Sequence, residues 1–167
     1  CLNLGGIANI SFGNSGSIKA FDICGCNILL NKYSKIYDKE FDEFGKLSSK
    51  GKVIPELIKR LDSISYSLIE GPKSLDKEKL LNDNYKLIDD YLANKSDIDL
   101  KKTGYNVLAT IVEHISNEIF NVVSKQNNLK NILITGGGAK NNFLIDQIKT
   151  KLNLSLIHIS EPTRQPC

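Results

Sequence analysis

Three consecutive glycines, Gly136 to Gly138, separate a short β-rich run from an amphipathic run. Residues 132–135 have strand composition, and apolar residues after the glycines recur at helical spacing, at Phe143, Leu144, Ile145 and Ile148. Because glycine has no Cβ, such a turn lets the backbone approach a ligand, and the following helix directs free N–H groups and its positive dipole end at whatever lies over the turn. The pattern predicts strand, turn and helix, either as a nucleotide contact or as a tight structural turn. The spacing of a dinucleotide fingerprint is absent.

Composition narrows the class of protein. The 167 residues are 41% hydrophobic and 25% charged, enough for one globular domain with its own core. No apolar run reaches the length of a membrane span and no signal peptide opens the chain, so we expect a cytoplasmic protein without a membrane partner. The net charge is only +3 and the lysines are scattered among acids, which argues against nucleic acid as a partner.

The four cysteines do not indicate a metal site. Cys1 and Cys167 are the chain ends, and Cys24 with Cys26 forms a lone C-x-C. Zinc needs more ligands than two histidines would add, so we expect no metal bound by the protein and reduced thiols.

The two ends of the chain differ from the rest. The chain opens without methionine, already inside a predicted strand, and residues 156–167 resemble a translated sequencing-adapter tail. We therefore expect one domain over residues 1–155, truncated at both ends, and a non-native tail over 156–167.

Short β-rich runs alternate with glycine and Asn-Gly turns over the first 25 residues, which is typical of an antiparallel meander. Three strands are expected, at residues 2–4, 7–12 and 17–23, followed by a helix with Asn27 as its N-cap. The further predicted elements are helices at 52–61, 76–81, 85–92, 103–124 and 141–152, a turn at 63–74, a strand at 131–135 and the start of another strand after 152.

This order predicts an α/β fold. Later strands joined through helices should be parallel, so the sheet should be mixed, with three antiparallel strands, then parallel strands, and helices on both faces. The helix at 103–124 should bury a stripe of residues that advance by three and four: Tyr105, Leu108, Val112, Ile115, Ile119 and Val122. The order is that of the ribonuclease-H-like half of actin-like ATPases, sugar kinases and heat-shock ATPases, in which two halves close over ATP.

Four stretches together resemble the anhydro-N-acetylmuramic acid kinase family. They occur in the family's order and cover the chain from residue 2 to about residue 154. The stretches are LNLGGIANIS at 2–11, similar to N-x-G-G-I-A-N-x-S; FDICGCN at 21–27, similar to F-D-T-G-P-G-N; PKSL at 72–75 with Glu78, similar to P-K-S-T-G-R-E; and TGGGAKN at 135–141, similar to G-G-G-x-x-N.

The resemblance implies an ATP-dependent sugar kinase of peptidoglycan recycling that uses Mg²⁺. Such an enzyme opens the 1,6-anhydro bond of anhydro-N-acetylmuramic acid with water and phosphorylates O6, which gives N-acetylmuramic acid 6-phosphate. Phosphoryl transfer needs positioning and charge neutralisation, and ring opening needs a carboxylate base. The resemblance also implies a homodimer.

On this resemblance, the two glycine turns form the cofactor site. The backbone N–H groups of Gly5, Gly6 and Asn9 would contact the β- and γ-phosphates. The adenosine side would lie on the second turn, at Gly136, Gly137 and Gly138. Asn141 would cap the following helix or reach the nucleotide.

Asp22 and Asn27 are expected to close a strand-to-helix loop that faces the cleft, where they would contact sugar or magnesium-bound water. A turn-forming carboxylate that bonds its own backbone is the alternative for Asp22. Glu113 lies on a polar stripe with Asn106, Thr110 and Asn117. Solvent exposure explains that stripe, and a catalytic, cleft-facing Glu113 is the alternative. Lys73 and Ser74 would reach an anionic group or form a surface turn.

The family's first phosphate loop, its catalytic aspartate and most of its sugar pocket would belong to a preceding half. We therefore expect no kinase activity from this chain alone. The sequence leaves two other functions open, a non-catalytic nucleotide- or glycan-sensing module on the same fold and another sugar kinase of the superfamily.

Overall fold

A computed structural model describes residues 1–14, 16–64, 77–93, 95–126, 131–152 and 155–158. It contains five strands and five α-helices within these ranges. The strands are β1 (Leu2–Leu4), β2 (Ile7–Asn14), β3 (Ser17–Gly25), β4 (Asn131–Thr135) and β5 (Ser155–His158). The helices are α1 (Asn27–Ser34), α2 (Pro55–Ser63), α3 (Lys77–Leu92), α4 (Asp97–Val123) and α5 (Asn142–Leu152).

The strands form one mixed sheet in the order β3-β2-β1-β4-β5. Neighbours β1, β2 and β3 are antiparallel, whereas β4 is parallel to both β1 and β5. Short glycine-containing turns can only join antiparallel neighbours, and the parallel pairs are joined through helices. The predicted mixed sheet of antiparallel and then parallel strands is confirmed.

The helices cover one face of the sheet within the described residues, where helices on both faces were expected. The connections from β3 to β4 and from β4 to β5 move in the same direction across the sheet, so two right-handed crossovers place their helices on the same side. Burial agrees, because Leu2, Leu4 and Ile134 are buried while Asn3 and Thr135, on the opposite face, are only half-buried. We refer to this second side as the open face.

Helix α4 is the centre of the core. Side chains at its predicted positions Leu108, Val112, Ile115 and Ile119 are fully buried and join the sheet residues in one cluster. The helix begins six residues earlier than predicted, because the hydroxyl of Ser96 accepts a hydrogen bond from the backbone N–H of Asp99 and caps it. Tyr105, expected in the stripe, is only half-buried and stacks on Tyr37 at a ring separation of 4.4 Å.

Two other elements, α2 and α3, differ from the sequence prediction. Helix α2 begins at Pro55 rather than residue 52, since proline is favoured in the first helical turn. Helix α3 is continuous where two short helices were expected. Most of the predicted turn at 63–74, with Lys73 and Ser74, lies outside the described residues.

Strand β5 overlaps the predicted tail. Its residues pair in parallel with β4, from Asn131 opposite Ser155 to Ile134 opposite His158. Three positions assigned to the tail therefore continue the sheet. The boundary between domain and tail stays a prediction.

Candidate nucleotide site

The two glycine turns meet at the ends of the parallel strands β1 and β4. A Cβ on Gly138 would lie 2.8 Å from Leu4 Cβ and 2.9 Å from the Leu4 carbonyl oxygen, and a Cβ on Gly136 would overlap Asn3 Oδ1. Gly136 also has a φ of +83°, which favours glycine. The second turn therefore packs directly on the strand that leads into the Gly5-Gly6 turn, and both turns lie at one edge of the sheet.

Asn27 joins the two turns from the start of α1. Its side-chain Nδ2 donates a hydrogen bond of 3.0 Å to the Leu4 carbonyl, and its Oδ1 lies 3.1 Å from the position that a Cβ on Gly138 would take. The predicted N-cap role is wrong, because the cap position is Cys26 and no side chain caps the helix. Asn27 instead fixes the relative position of the two turns.

Carbonyl groups of the Gly5-Gly6 turn satisfy the first N–H groups of α1. The Cys26 N–H donates to Gly6 O at 2.9 Å and the Asn27 N–H donates to Gly5 O at 3.1 Å. These N–H groups at the start of the helix therefore already have hydrogen-bond partners within the chain. Gly6 itself is exposed and has open space where a Cβ would project, so a ligand can approach its backbone from that side.

A cavity of about 430 Å³ opens beside the second turn. Its volume lies in the range of small-molecule sites, roughly 300–1,000 Å³. It is lined by Asn27, Leu30, Asn31, Phe41, Asp42, Glu43, Phe44, Gly137, Lys140 and Asn141. Three of these, Asn27, Gly137 and Asn141, were sequence candidates.

Asn141 performs the structural part of its predicted role. Its Oδ1 accepts a hydrogen bond of 3.0 Å from the Leu144 N–H and caps the first turn of α5, which begins one residue later than predicted. Its side chain is buried beside the cavity. The cap therefore fixes the direction in which α5 leaves the glycine turn.

A polar row crosses the open face next to the turns. The cross-strand register places Asp22 opposite Asn9, Asn9 opposite Asn3, and Asn3 opposite Thr135. Thr135 Oγ1 donates to Asn3 Oδ1 at 3.4 Å. Asp22 thus lies inside β3 and not in the strand-to-helix loop or a turn as predicted, because β3 continues to Gly25 through a bulge at Ala8 and Asn9.

Glu113 is not among the residues that line the cavity. Its carboxylate accepts a hydrogen bond of 2.6 Å from Lys151 Nζ, and about a quarter of each side chain is exposed. The other polar residues of this stripe mostly form hydrogen bonds with α2 and with the segment before it. Asn106 Oδ1, for example, accepts a hydrogen bond from the Lys52 N–H. The structure therefore places Glu113 in an ion pair between α4 and α5.

Cys24 and Cys26 are buried behind the turn. Burial raises the pKa of the Cys26 thiol to about 12 and raises that of Cys24 well above its ordinary value, with the nearby Glu118 adding to the latter shift. Both thiols are free and protonated at neutral pH. No group of three His, Cys, Asp or Glu side chains able to hold a metal ion occurs in the described ranges.

The segment that forms the outer wall of the cavity, Phe41 to Gly45, was missed by the sequence analysis. Asp42 is buried there, and its carboxylate accepts hydrogen bonds from the N–H groups of Leu47 at 2.7 Å and Ser48 at 3.0 Å. Two phenylalanines beside an acid-and-glycine turn were the available signal, since aromatic residues in a turn are unusual unless they are exposed for a purpose.

The α/β fold with a mixed sheet is shared with two solved structures. One is component A of (R)-2-hydroxyglutaryl-CoA dehydratase from Acidaminococcus fermentans, with a TM-score of 0.57, 13% identity and coverage of 95% of this chain and 54% of that one. The other is the activator of 2-hydroxyisocaproyl-CoA dehydratase from Clostridium difficile, solved with bound ADPNP, with a TM-score of 0.55, 15% identity and coverage of 95% and 52%. At these identities the likeness establishes the class of fold.

A family model described as anhydro-N-acetylmuramic acid kinase matches residues 1–164, and the chain belongs to this family. Relatives of that name include one from Shewanella frigidimarina, 31% identical over 152 residues, covering 89% of this chain and 39% of the relative. Another, from Acinetobacter baylyi, is 31% identical over 161 residues and covers 90% of this chain and 42% of the relative. The chain thus spans about two fifths of the length of these relatives.

Proposed function

We propose that the complete protein is a kinase that cleaves the 1,6-anhydro bond of anhydro-N-acetylmuramic acid with water and transfers the γ-phosphoryl group of ATP to O6. The products are N-acetylmuramic acid 6-phosphate and ADP. Family membership supports the reaction, and the chain contributes the part of the site described above. An enzyme that consumes ATP in peptidoglycan recycling would work in the cytoplasm. Among the described residues, no helix is both long and apolar enough to cross a membrane.

One observation carries the proposal: the second glycine turn packs on Leu4, the residue before the first turn, and Asn27 contacts both turns. Phosphoryl transfer depends mainly on positioning and on electrostatic stabilisation, so a site that holds the two ends of one triphosphate must fix two turns relative to each other. Gly6 offers its backbone to the phosphates, and Gly137 lies at the cavity that would take the adenosine. Gly5, Asn9, Gly136, Gly138 and Asn141 complete the proposed nucleotide contacts.

The polar row on the open face is the proposed sugar side. Asp22 is the carboxylate of that row, and we assign it a contact with a sugar hydroxyl or with a Mg²⁺-bound or attacking water. Asn27 remains a proposed substrate contact at the boundary between the nucleotide and the sugar. Mg²⁺ would be held chiefly by phosphate oxygens and water, as it usually is at kinase sites, which fits a site without a carboxylate cluster in the described residues. A homodimer remains a prediction from the resemblance.

The test is a chimaera in which residues 1–155 replace the matching segment of the Shewanella frigidimarina relative. We expect release of ADP that depends on anhydro-N-acetylmuramic acid, and incorporation of ¹⁸O from labelled water at the sugar C1. A chimaera with a native circular dichroism spectrum that releases no sugar-dependent ADP would contradict the proposal.

Two variants of the chimaera separate the proposed roles. Gly6→Ala should leave Tm unchanged, because nothing lies within 4 Å of the new Cβ, but should weaken ATP use about tenfold if the phosphates approach this backbone. Gly16→Ala, in the β2–β3 hairpin, is a control for a methyl group added away from the site: its positive φ should lower Tm, but the KM for ATP should stay unchanged. Asp22→Asn should raise the KM for the sugar if Asp22 contacts a hydroxyl, and should lower kcat if it acts on water.

A further inference from the structure

Two exposed aromatic rings form the outer wall of the cavity. Phe41 is 56% exposed and Phe44 is 46% exposed, and both line the cavity beside Gly137. Folding normally removes large aromatic surface from water, and each ring left exposed forfeits a large hydrophobic gain. Two such rings lining one cavity indicate a surface that a ligand covers.

The loop backbone keeps these rings exposed. Phe44 has a φ of +55°, a left-handed conformation that is costly for any residue with a Cβ. Asp42 between the two rings is buried and accepts three hydrogen bonds, the third being 2.6 Å from Ser48 Oγ. Strain of this kind persists only where the surroundings enforce it.

The same loop is fixed to the second glycine turn. Gly45 has a φ of +75°, and a Cβ there would overlap Asn141 Oδ1, the atom that caps α5, and would lie 2.7 Å from Phe143 Cβ. The aromatic wall therefore has a fixed position relative to Gly137 and Asn141. A rigid aromatic surface facing a glycine turn suits a flat ring system bound in one orientation.

The floor of the cavity adds a polar group of matching chemistry. Asn31 lines the cavity on α1, and its amide makes no hydrogen bond to any described residue. A carboxamide both donates and accepts. On the base edge that carries N7, it matches the donor N6 and acceptor N7 of adenine and not the paired acceptors O6 and N7 of guanine. Lys46 Nζ lies 5.2 Å from the Phe44 ring centroid, which places a positive charge beside that ring.

We propose that Phe41 and Phe44 form the nucleobase wall of this cavity and that Asn31 reads the edge of an adenine base. The inference rests on the proposed function, and it adds the residues that select the base. The stacking surface supplies affinity that is tolerant of base identity, and the Asn31 amide supplies the preference for adenine over guanine.

Calorimetric titration of the full chain with ADP, GDP and tripolyphosphate tests the proposal. Phe41→Ala should weaken ADP binding by about tenfold, the usual scale for loss of one stacking aromatic, and leave tripolyphosphate binding unchanged. Phe120→Ala removes a ring that is 40% exposed on α4 and does not line the cavity, and it should change neither. Asn31→Ala should reduce the ratio of ADP to GDP affinity by about fivefold or more.

Phe44→Gly separates binding from folding. Glycine accepts the left-handed φ, so this variant should keep or raise Tm while it weakens ADP binding. A lower Tm with unchanged ADP affinity would show that Phe44 is a packing residue and would overturn its part of the proposal.

The outcomes distinguish the two levels of inference. If the unaltered chain binds ADP and the Phe41 and Phe44 variants bind it equally well, the nucleobase wall is wrong and the kinase proposal stands. If neither the unaltered folded chain nor the folded chimaera that carries residues 1–155 binds ADP or tripolyphosphate, the nucleotide role of this cavity is wrong, and the nucleobase wall fails with it.

Discussion

Gly136→Ala should destabilise the chain strongly, because both the backbone conformation and the surroundings of Gly136 exclude a Cβ. Gly136 combines a φ of +83° and a ψ of 172° with direct contact to the preceding strand, where a Cβ would overlap Asn3 Oδ1 and lie 2.9 Å from the Leu4 carbonyl carbon and oxygen. The backbone conformation costs roughly 1–3 kcal/mol for a residue with a Cβ. The forced overlap costs roughly 1–3 kcal/mol more.

Gly16→Ala isolates the first of these two costs. Gly16 has a φ of +110°, and nothing lies within 4 Å of its Cβ position. Both variants carry backbone strain, and only Gly136→Ala carries the contact. Gly136→Ala should therefore lower the free energy of unfolding by about 4 kcal/mol, and Gly16→Ala by about 2 kcal/mol. For a chain of this size, 4 kcal/mol corresponds to a fall in Tm of roughly 8–16 °C.

Urea unfolding followed by circular dichroism at 222 nm measures both values. Asn3→Ala in the Gly136→Ala background removes the overlapping Oδ1 atom but not the Leu4 carbonyl, so the double variant should recover about 1 kcal/mol relative to additivity. Equal destabilisation by Gly136→Ala and Gly16→Ala, with no coupling to Asn3, would show that the two turns do not touch. The proposed nucleotide site would then lose its geometric basis.

Two further predictions concern side chains outside the cavity. Glu113→Gln should cost about 1 kcal/mol of stability, because Glu113 and Lys151 form one half-buried ion pair. Lys151→Met should add little further cost in the Glu113→Gln background. Turnover lost at unchanged stability would instead support a catalytic Glu113. Iodoacetamide at pH 8 should label exposed Cys1 but neither Cys24 nor Cys26 in the folded chain, since burial raises both pKa values above that pH and only the thiolate reacts. Peptide mapping by mass spectrometry gives the result, and fast labelling of Cys26 in the folded chain would show that it is not buried.

Local sequence patterns were sufficient to predict a helix or strand where the residues of that element alone determine its structure. The apolar stripe of α4 and the short alternating strands identified the elements, and the rule for crossovers then specified which strands are parallel. The same rule places the connecting helices on one face, because the crossovers from β3 to β4 and from β4 to β5 run in the same direction across the sheet. Predicted helix boundaries were wrong where a single side chain determines the end of the helix, as Ser96 does at the start of α4.

The glycine positions of the candidate site were accessible from the sequence because backbone chemistry defines them. Glycine runs mark positions that need close approach, and Gly136 and Gly138 do pack on Leu4, just before the Gly5-Gly6 turn. Asn27 was identified as a site residue with the wrong contact, because its partner, the Leu4 carbonyl, is 23 residues away. Phe41 and Phe44 could not be found from periodicity, since their exposure depends on a left-handed backbone and on the buried Asp42.

The contacts that hold the two turns depend little on side-chain identity, which is compatible with a family in which relatives are 31% identical to this chain. The two turns are held together mostly by backbone groups: the carbonyls of Gly5 and Gly6 accept from the start of α1, and the Leu4 carbonyl accepts from Asn27. Backbone groups are the same in every sequence, so the helices can change their surfaces freely as long as a few glycines and one amide remain. If the proposed nucleotide site is correct, base selection must come from side chains that reach the cavity from outside this framework. The loop that carries Phe41 and Phe44, rather than the glycine turns, is then the place to alter nucleotide preference.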